Sequence, residues 1–178
     1  MQVTCEHISY ESTGFFSKLI TDYLEGNEKL RAFYTHTPNL AGVEDAMQAR
    51  EHFSFRNELV AALNAQYKGV ENCEAVKENI QLLLSGKTFT VTTAHQPNIF
   101  TGPLYVIYKI LHAIKLAASL KNSFPENNFV PVYYMGSEDA DLEELNHISI
   151  DGKVYEWATS QTGAVGRMLV DDAFLNLI

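Results

Sequence analysis

Thr88-Phe-Thr-Val-Thr-Thr-Ala-His-Gln-Pro-Asn-Ile-Phe-Thr-Gly-Pro-Leu-Tyr105, followed by Phe129-Val-Pro-Val-Tyr-Tyr-Met-Gly-Ser-Glu-Asp-Ala-Asp-Leu-Glu-Glu-Leu-Asn-His147, decides the fold. Thr88 to Ala94 alternates Phe89 and Val91 with threonines, the chemistry of a strand. Pro103 suits the first turn of a helix, where its missing N–H is not needed, with Thr101 or Gly102 before it as cap. The helix is expected to run to about Asn122, and the turn-rich residues 122–128 break it. Phe129 to Met135 is the second strand, although Pro131 is unusual inside one. Strand, helix and strand within this span form a βαβ crossover, expected to be right-handed and parallel. Both strands then end on one edge of the sheet, where open α/β sheets bind their ligands.

Working outward, Ile148, Ile150, Asp151-Gly152 and Val154 to Trp157 read as a β-hairpin. The first 87 residues read as helices. Phe16, Leu19, Ile20, Tyr23 and Leu24 recur at helical spacing and stop near Gly26-Asn27. Phe55, Leu59, Leu63 and Tyr67 step by four to Gly69, and Val76, Ile80, Leu83 and Leu84 form another stripe closed by Ser85-Gly86. The expected organisation is an N-terminal helical segment, 1–87, packing on an α/β core whose first part is 88–178. Two parallel strands and a hairpin cannot cover both faces of a stable sheet, so the sequence reads as an incomplete portion of a larger protein.

Bulk properties narrow the function. The 178 residues carry 13 basic and 22 acidic side chains, a formal charge of −9, with 46% apolar residues. That balance argues against a nucleic-acid binder, which needs a clustered basic face. No apolar stretch is long enough for a bilayer span, and no signal-peptide pattern follows Met1, so the cytoplasm is the expected address. Cys5 and Cys73 fit no metal spacing and read as free or buried thiols.

Two clusters can carry chemistry. The first is His95, Gln96, Asn98, Thr101 and Gly102, a turn that aims backbone N–H groups and short polar side chains at one spot above a helix start. Such a spot favours a phosphate or carboxylate, and His95 can carry a proton near neutral pH. A well-capped turn with His95 satisfied by a backbone carbonyl explains the same residues without a ligand. The second cluster is Glu138, Asp139, Asp141, Glu143, Glu144, Asn146 and His147. Carboxylates this dense repel one another and call for a cationic partner or water. A solvated acidic helix start near Asp139, with Glu143 and His147 at steps of four, is the alternative. A metal site from His95, Asp141 and His147 has no compact ligand spacing to support it. Lys109 belongs with His112 and Lys115 in a solvent-facing row, and Tyr105, Tyr108, Tyr133 and Tyr134 read as core rather than cofactor contacts.

The run from Thr93 to Tyr105, with Lys109 and then Gly136 to His147, resembles the cysteine ligase family BshC of bacillithiol biosynthesis. That family's first motif usually reads Thr-Gly-Gln-Gln-x-Gly-Leu-Phe-Thr-Gly-Pro; here Ala94, His95 and Asn98 replace its Gly, Gln and Gly. Its second motif commonly has His between the aspartates, where this sequence has Ala140, so no role of that histidine carries over. Phe100-Thr-Gly-Pro, Gly136, Glu138-Asp139, Asp141, Glu144 and Asn146-His147 match as they stand. The resemblance implies a Rossmann-like core related to nucleotidyltransferases, a helical coiled-coil part, and proteins several-fold longer than this chain. It implies joining the cysteine carboxyl to the amine of glucosaminyl-malate, with ATP or another nucleotide as an open question and a homodimer through the C-terminal part. On that reading Glu138, Asp139, Asp141 and His95 are catalytic, and Gln96, Asn98, Thr101, Gly102, Asn146 and His147 bind substrate. Two other readings stand beside it: an enzyme adenylating another carboxylic acid, though the His-x-Gly-His spacing usual there is missing, and a non-catalytic ligand-binding module.

Overall fold

The computed structural model describes residues 4–50 and 52–178 and divides them between two compact units, one up to Phe53 and one from Ser54 onward. The first unit holds helices α1 (Tyr10–Thr13), α2 (Lys18–Leu24) and α3 (Leu40–Arg50), with a 3₁₀ turn at Glu28–Phe33. Asn39 accepts from the Gly42 amide at 3.0 Å, and Gly42 sits so tightly on the Thr37 backbone that no side chain fits there. The stripe read at Phe16 to Leu24 lies largely in α2, but Leu19 and Leu24 are exposed rather than buried.

The second unit carries α4 (Arg56–Gln66), α5 (Glu74–Leu82), β1 (Thr88–His95), α6 (Leu104–Ser123) and β2 (Asn128–Met135). A short α7 (Leu142–Leu145), a hairpin of β3 (His147–Ile150) and β4 (Lys153–Glu156), and α8 (Asp172–Leu175) follow. The division at residue 87 is therefore a change of secondary structure and not the edge of the compact unit. Val60 of α4, with Ile80 and Leu83 of and just after α5, buries against Val130 of β2. Each such side chain contributes about 1.5–3 kcal/mol by leaving water. Arg56 fastens the same corner, donating to the carbonyls of Leu83 at 2.9 Å and Thr88 at 3.1 Å.

β1 and β2 pair in parallel, from Thr88 opposite Asn128 to His95 opposite Met135. Pro131 is accommodated opposite Val91. Because the two strands end flush, the loops after them leave the sheet side by side. Between the strands, α6 buries Val106, Ala113, Ala117 and Leu120, a narrow stripe at near-heptad spacing. Its cap is Pro103 in extended conformation, one residue after Gly102 and two after Thr101, because Gly102 is already committed to the preceding turn. In the hairpin, Asp151 and Gly152 both take positive φ, the geometry a two-residue turn of matching twist requires.

The acidic segment forms only one helical turn. Glu143 and His147 do not share a helix face, since His147 already belongs to β3. Trp157, continuing past β4, hydrogen-bonds its amide to the Asn146 carbonyl at 2.7 Å and its indole N–H to Asp171 at 2.7 Å. Asp171 also accepts from the Thr159 hydroxyl and caps α8 through the Phe174 amide. The Trp157 bond first, then those from Thr159 and Phe174, hold the Asp171 carboxyl at about 2. A carboxyl lowered by folding stabilises the fold at any pH above its unfolded value. That contribution is lost as pH falls from about 4 through 2. Asp171→Asn is expected to lower the thermal midpoint at pH 7, with the gap to wild type shrinking between pH 4 and pH 2. A gap constant across that range would contradict the assignment.

Candidate active site

The two loops that leave β1 and β2 face each other. Gln96 reaches across with its side-chain amide, donating to Asp139 at 3.0 Å and to Glu144 at 3.4 Å. One amide NH₂ shared by two carboxylates relieves part of their repulsion. Asn98 adds a long contact, 3.5 Å, to the Glu144 carbonyl. The backbones are tied as well: the Gly136 amide and the Tyr133 hydroxyl both donate to the His95 carbonyl, at 3.0 and 3.1 Å.

The remaining sequence candidates are placed as follows. Glu138 accepts from the Tyr134 hydroxyl at 2.9 Å, which holds that phenol above its ordinary value. Asp139 accepts from the Asp141 amide at 3.2 Å, so those two carboxylates splay from one tight turn. Glu138, Asp139, Asp141, Glu143 and Glu144 are all exposed at the strand-end surface. Thr101 and Gly102 make no hydrogen bond to the acidic loop; they shape the turn before α6. Asn146 points to Glu156 in the hairpin, and His147 pairs with Asn146, so both side chains serve β3 and β4. Among the described residues no group of three His, Cys, Asp or Glu side chains is placed to hold a metal ion. Nor is any described helix long and apolar enough to cross a membrane.

The turn itself is strained. Phe100 and Thr101 both sit at positive φ, 47° and 74°, costly for side-chain-bearing residues. Phe100 is held by stacking on Phe174 of α8, with ring centroids 5.8 Å apart. The segment after the hairpin, where no motif is legible, turns out to brace the acidic loop. The Val165 amide donates to the Asp139 carbonyl and the Gly166 amide to that of Ser137, at 2.8 and 2.9 Å. Gly166 lies so close to Ser137 that a β-carbon has no room.

Tyr105, read as core, lies instead at the cluster, and Lys109, exposed as a solvent-facing row expects, lies beside it. Tyr105 is 43% exposed, and its hydroxyl stands between the His95 Nε2 at 2.7 Å and Glu144 at 3.2 Å. Tyr108 and Tyr134 are likewise exposed rather than core. Lys109, one turn on, places its ammonium 5.4 Å from the Tyr105 ring centre and 3.4 Å from the Ala94 carbonyl. The signal was present: Tyr105 is in the first turn of α6, and helical side chains lean toward the N-terminus, here toward the strand ends. His95 itself is only 6% exposed, so its imidazole does not face solvent directly.

Beside the turn lie two hollows, about 380 Å³ along α6 and about 360 Å³ against Trp157 and Phe174. Asn98 lines both, and its buried side-chain oxygen has no hydrogen-bond partner. An acceptor left in this way costs about 1–3 kcal/mol, which a ligand N–H or O–H would recover. The site thus offers carboxylates for an ammonium or hydroxyls, an amide bridge, and an orphan acceptor.

Comparison with known proteins gives a consistent result. The model of the family described as "Bacillithiol biosynthesis BshC, N-terminal Rossmann-like domain" matches residues 1–178. A Flavobacterium psychrophilum protein named "Putative cysteine ligase BshC" is 46% identical over 166 residues, covering 90% of this chain and 31% of its own length. A protein of the same name from Cytophaga hutchinsonii is 47% identical over 163 residues, covering 91% and 31%. One from Carboxydothermus hydrogenoformans is 33% identical over 141 residues, covering 79% and 26%. The chain therefore spans about a third of the length of these relatives.

Proposed function

This chain belongs to the BshC N-terminal Rossmann-like family of bacillithiol biosynthesis, and from that premise we propose that it is the part of a carbon–nitrogen ligase where cysteine is joined to glucosaminyl-malate. The reaction forms an amide between the cysteine carboxyl and the sugar amine. A carboxylate reacts with an amine once it is activated, as an acyl phosphate or adenylate, for which ATP or another nucleotide would serve as co-substrate. The amine then attacks, the activating group leaves with its oxygen, and one amine proton goes to a base.

The observation that carries the reading is the Gln96 bridge, which brings the acidic loop against the turn before α6. In the proposal Glu138, Asp139 and Asp141 hold the cysteine ammonium or sugar hydroxyls. Gln96 fixes Asp139 relative to Glu144. The start of α6, with Thr101 and Gly102 before it, takes the anionic group, a phosphate or the malate carboxylates. His95 manages protons from below the surface, and Asn146 and His147 fix the hairpin beside the loop. Preorganised position and charge supply most of the acceleration. The setting is the cytoplasm, and dimerisation would use parts of the full-length protein outside these residues.

The test is a product assay on the full-length protein with cysteine, glucosaminyl-malate and ATP or GTP. Asp139→Asn is expected to lower turnover roughly 100-fold or more, as loss of a group binding charge at the reacting centre does. Folded wild-type enzyme giving no amide product with any nucleotide would sink the proposal. Exchange of pyrophosphate into ATP that does not depend on cysteine would favour adenylation of a different acid.

A further inference from the structure

We infer that His95, Tyr105 and Glu144 form a proton relay, in which a proton taken up by the exposed Glu144 carboxylate is passed through the Tyr105 hydroxyl to the buried His95 imidazole. The argument is an inventory of hydrogens. His95 Nδ1 faces the backbone carbonyl of Gln96 at 3.2 Å, and a carbonyl only accepts, so Nδ1 carries a hydrogen. The Tyr105 hydroxyl has one hydrogen to give. It sits 2.7 Å from His95 Nε2 and 3.2 Å from Glu144, with donor geometry toward the carboxylate. If Tyr105 donates to Glu144, Nε2 must donate to Tyr105, and His95 is an imidazolium paired with a carboxylate. If Tyr105 donates to Nε2, His95 is neutral. The two states differ by one proton.

Uptake therefore balances. A substrate N–H bond breaks as Glu144 takes the proton. The new carboxylic O–H gives that proton to the Tyr105 oxygen while the Tyr105 O–H bond breaks toward the Nε2 lone pair. The end state is imidazolium, intact phenol and carboxylate, and every contact in the structure fits it. Tyr105 keeps its own proton, since partial desolvation and then the bond to Glu144 hold it above the ordinary phenol value. Other charged groups facing the relay are Asp139, reached through Gln96, and the Lys109 ammonium over the Tyr105 ring. Glu144 is the group placed to meet substrate; Tyr105 and His95 act through it as positioning and storage residues. This inference deepens the ligase reading and rests on it for the source of the proton.

Two measurements on the full-length protein test it. With ¹⁵N-labelled histidine, the His95 signal, identified by its loss in His95→Gln, is expected to change in Tyr105→Phe. The wild-type signal should show hydrogens on both ring nitrogens, and the variant's on Nδ1 alone. In the product assay, Tyr105→Phe is expected to lower kcat roughly 100-fold with KM within about threefold, and Tyr105→Phe/His95→Gln should be no slower than Tyr105→Phe. An unchanged His95 signal, or single-variant losses that multiply in the double variant, would overturn the relay. If folded wild type makes no amide, the ligase reading falls while the labelled-histidine result still decides the relay.

Discussion

Gly102→Ala is expected to destabilise the second compact unit by roughly 2–6 kcal/mol, adding about 1–3 for backbone strain to about 1–3 for overpacking. Gly102 has φ 67° and ψ −162°, a region closed to residues with a β-carbon. A β-carbon there would also lie 2.6 Å from Cβ of Asn98. Domains of this kind are stable by only about 5–15 kcal/mol, so such a loss is large. Urea denaturation should show it as a drop in midpoint at unchanged slope. Two controls separate the causes. Gly86→Ala, where no atom stands within 4 Å and φ is ordinary, should be near neutral. Adding Asn98→Gly to Gly102→Ala should recover the overpacking share and leave the strain. A variant as stable as wild type would show that the 98–102 turn is not held as described.

Leu145→Ala is expected to cost about 2–5 kcal/mol, the range for truncating a fully buried leucine and leaving a cavity. Leu145 is 1% exposed and helps wall the hollow shared with Ile99, Trp157 and Phe174. It is the apolar anchor of the acidic loop, standing directly after Glu144. Its loss should weaken binding at the carboxylates as well as lower the melting temperature, because nothing else buried lies between Asp139 and Asn146. Leu169→Ala, at 75% exposed, provides the comparison and should fall within about 0.5 kcal/mol of wild type. Equal midpoints for the two variants would refute the anchoring role.

Much of this arrangement is legible in the sequence because it depends on local chemistry. Threonines alternating with Phe89 and Val91 make β1; Pro103 marks the start of α6, as its cap rather than in its first turn; Asp151-Gly152 makes the hairpin turn. Flush parallel strands then bring the turn after His95 beside the loop after Met135, as the crossover predicts. What escapes local reading is side-chain direction and long-range pairing. Tyr105 belongs to an apolar helix by pattern and to the polar cluster by its place in the first turn. Lys109 follows it one turn later. Asn146 and His147 share a motif with the carboxylates, yet β3 pairing turns them to Glu156. The bracing at Val165 and Gly166 uses main-chain groups alone, so residue identity gives no sign of it except the glycine that close approach demands. The limits of the compact unit are similarly hidden, since Val60 and Ile80 meet Val130 across a wide sequence separation.

The clasp between Val165-Gly166 and the segment Ser137–Asp139 has a wider meaning for how this surface can change. Residues on an unsupported loop drift freely in sequence and length. Here the carboxylate-bearing span is gripped on one flank by the first strand and on the other by a later stretch of chain. Insertions or deletions between Gly136 and Asp139 would break both grips together. Side chains on this span can be exchanged without disturbing the frame, whereas a change in its length cannot.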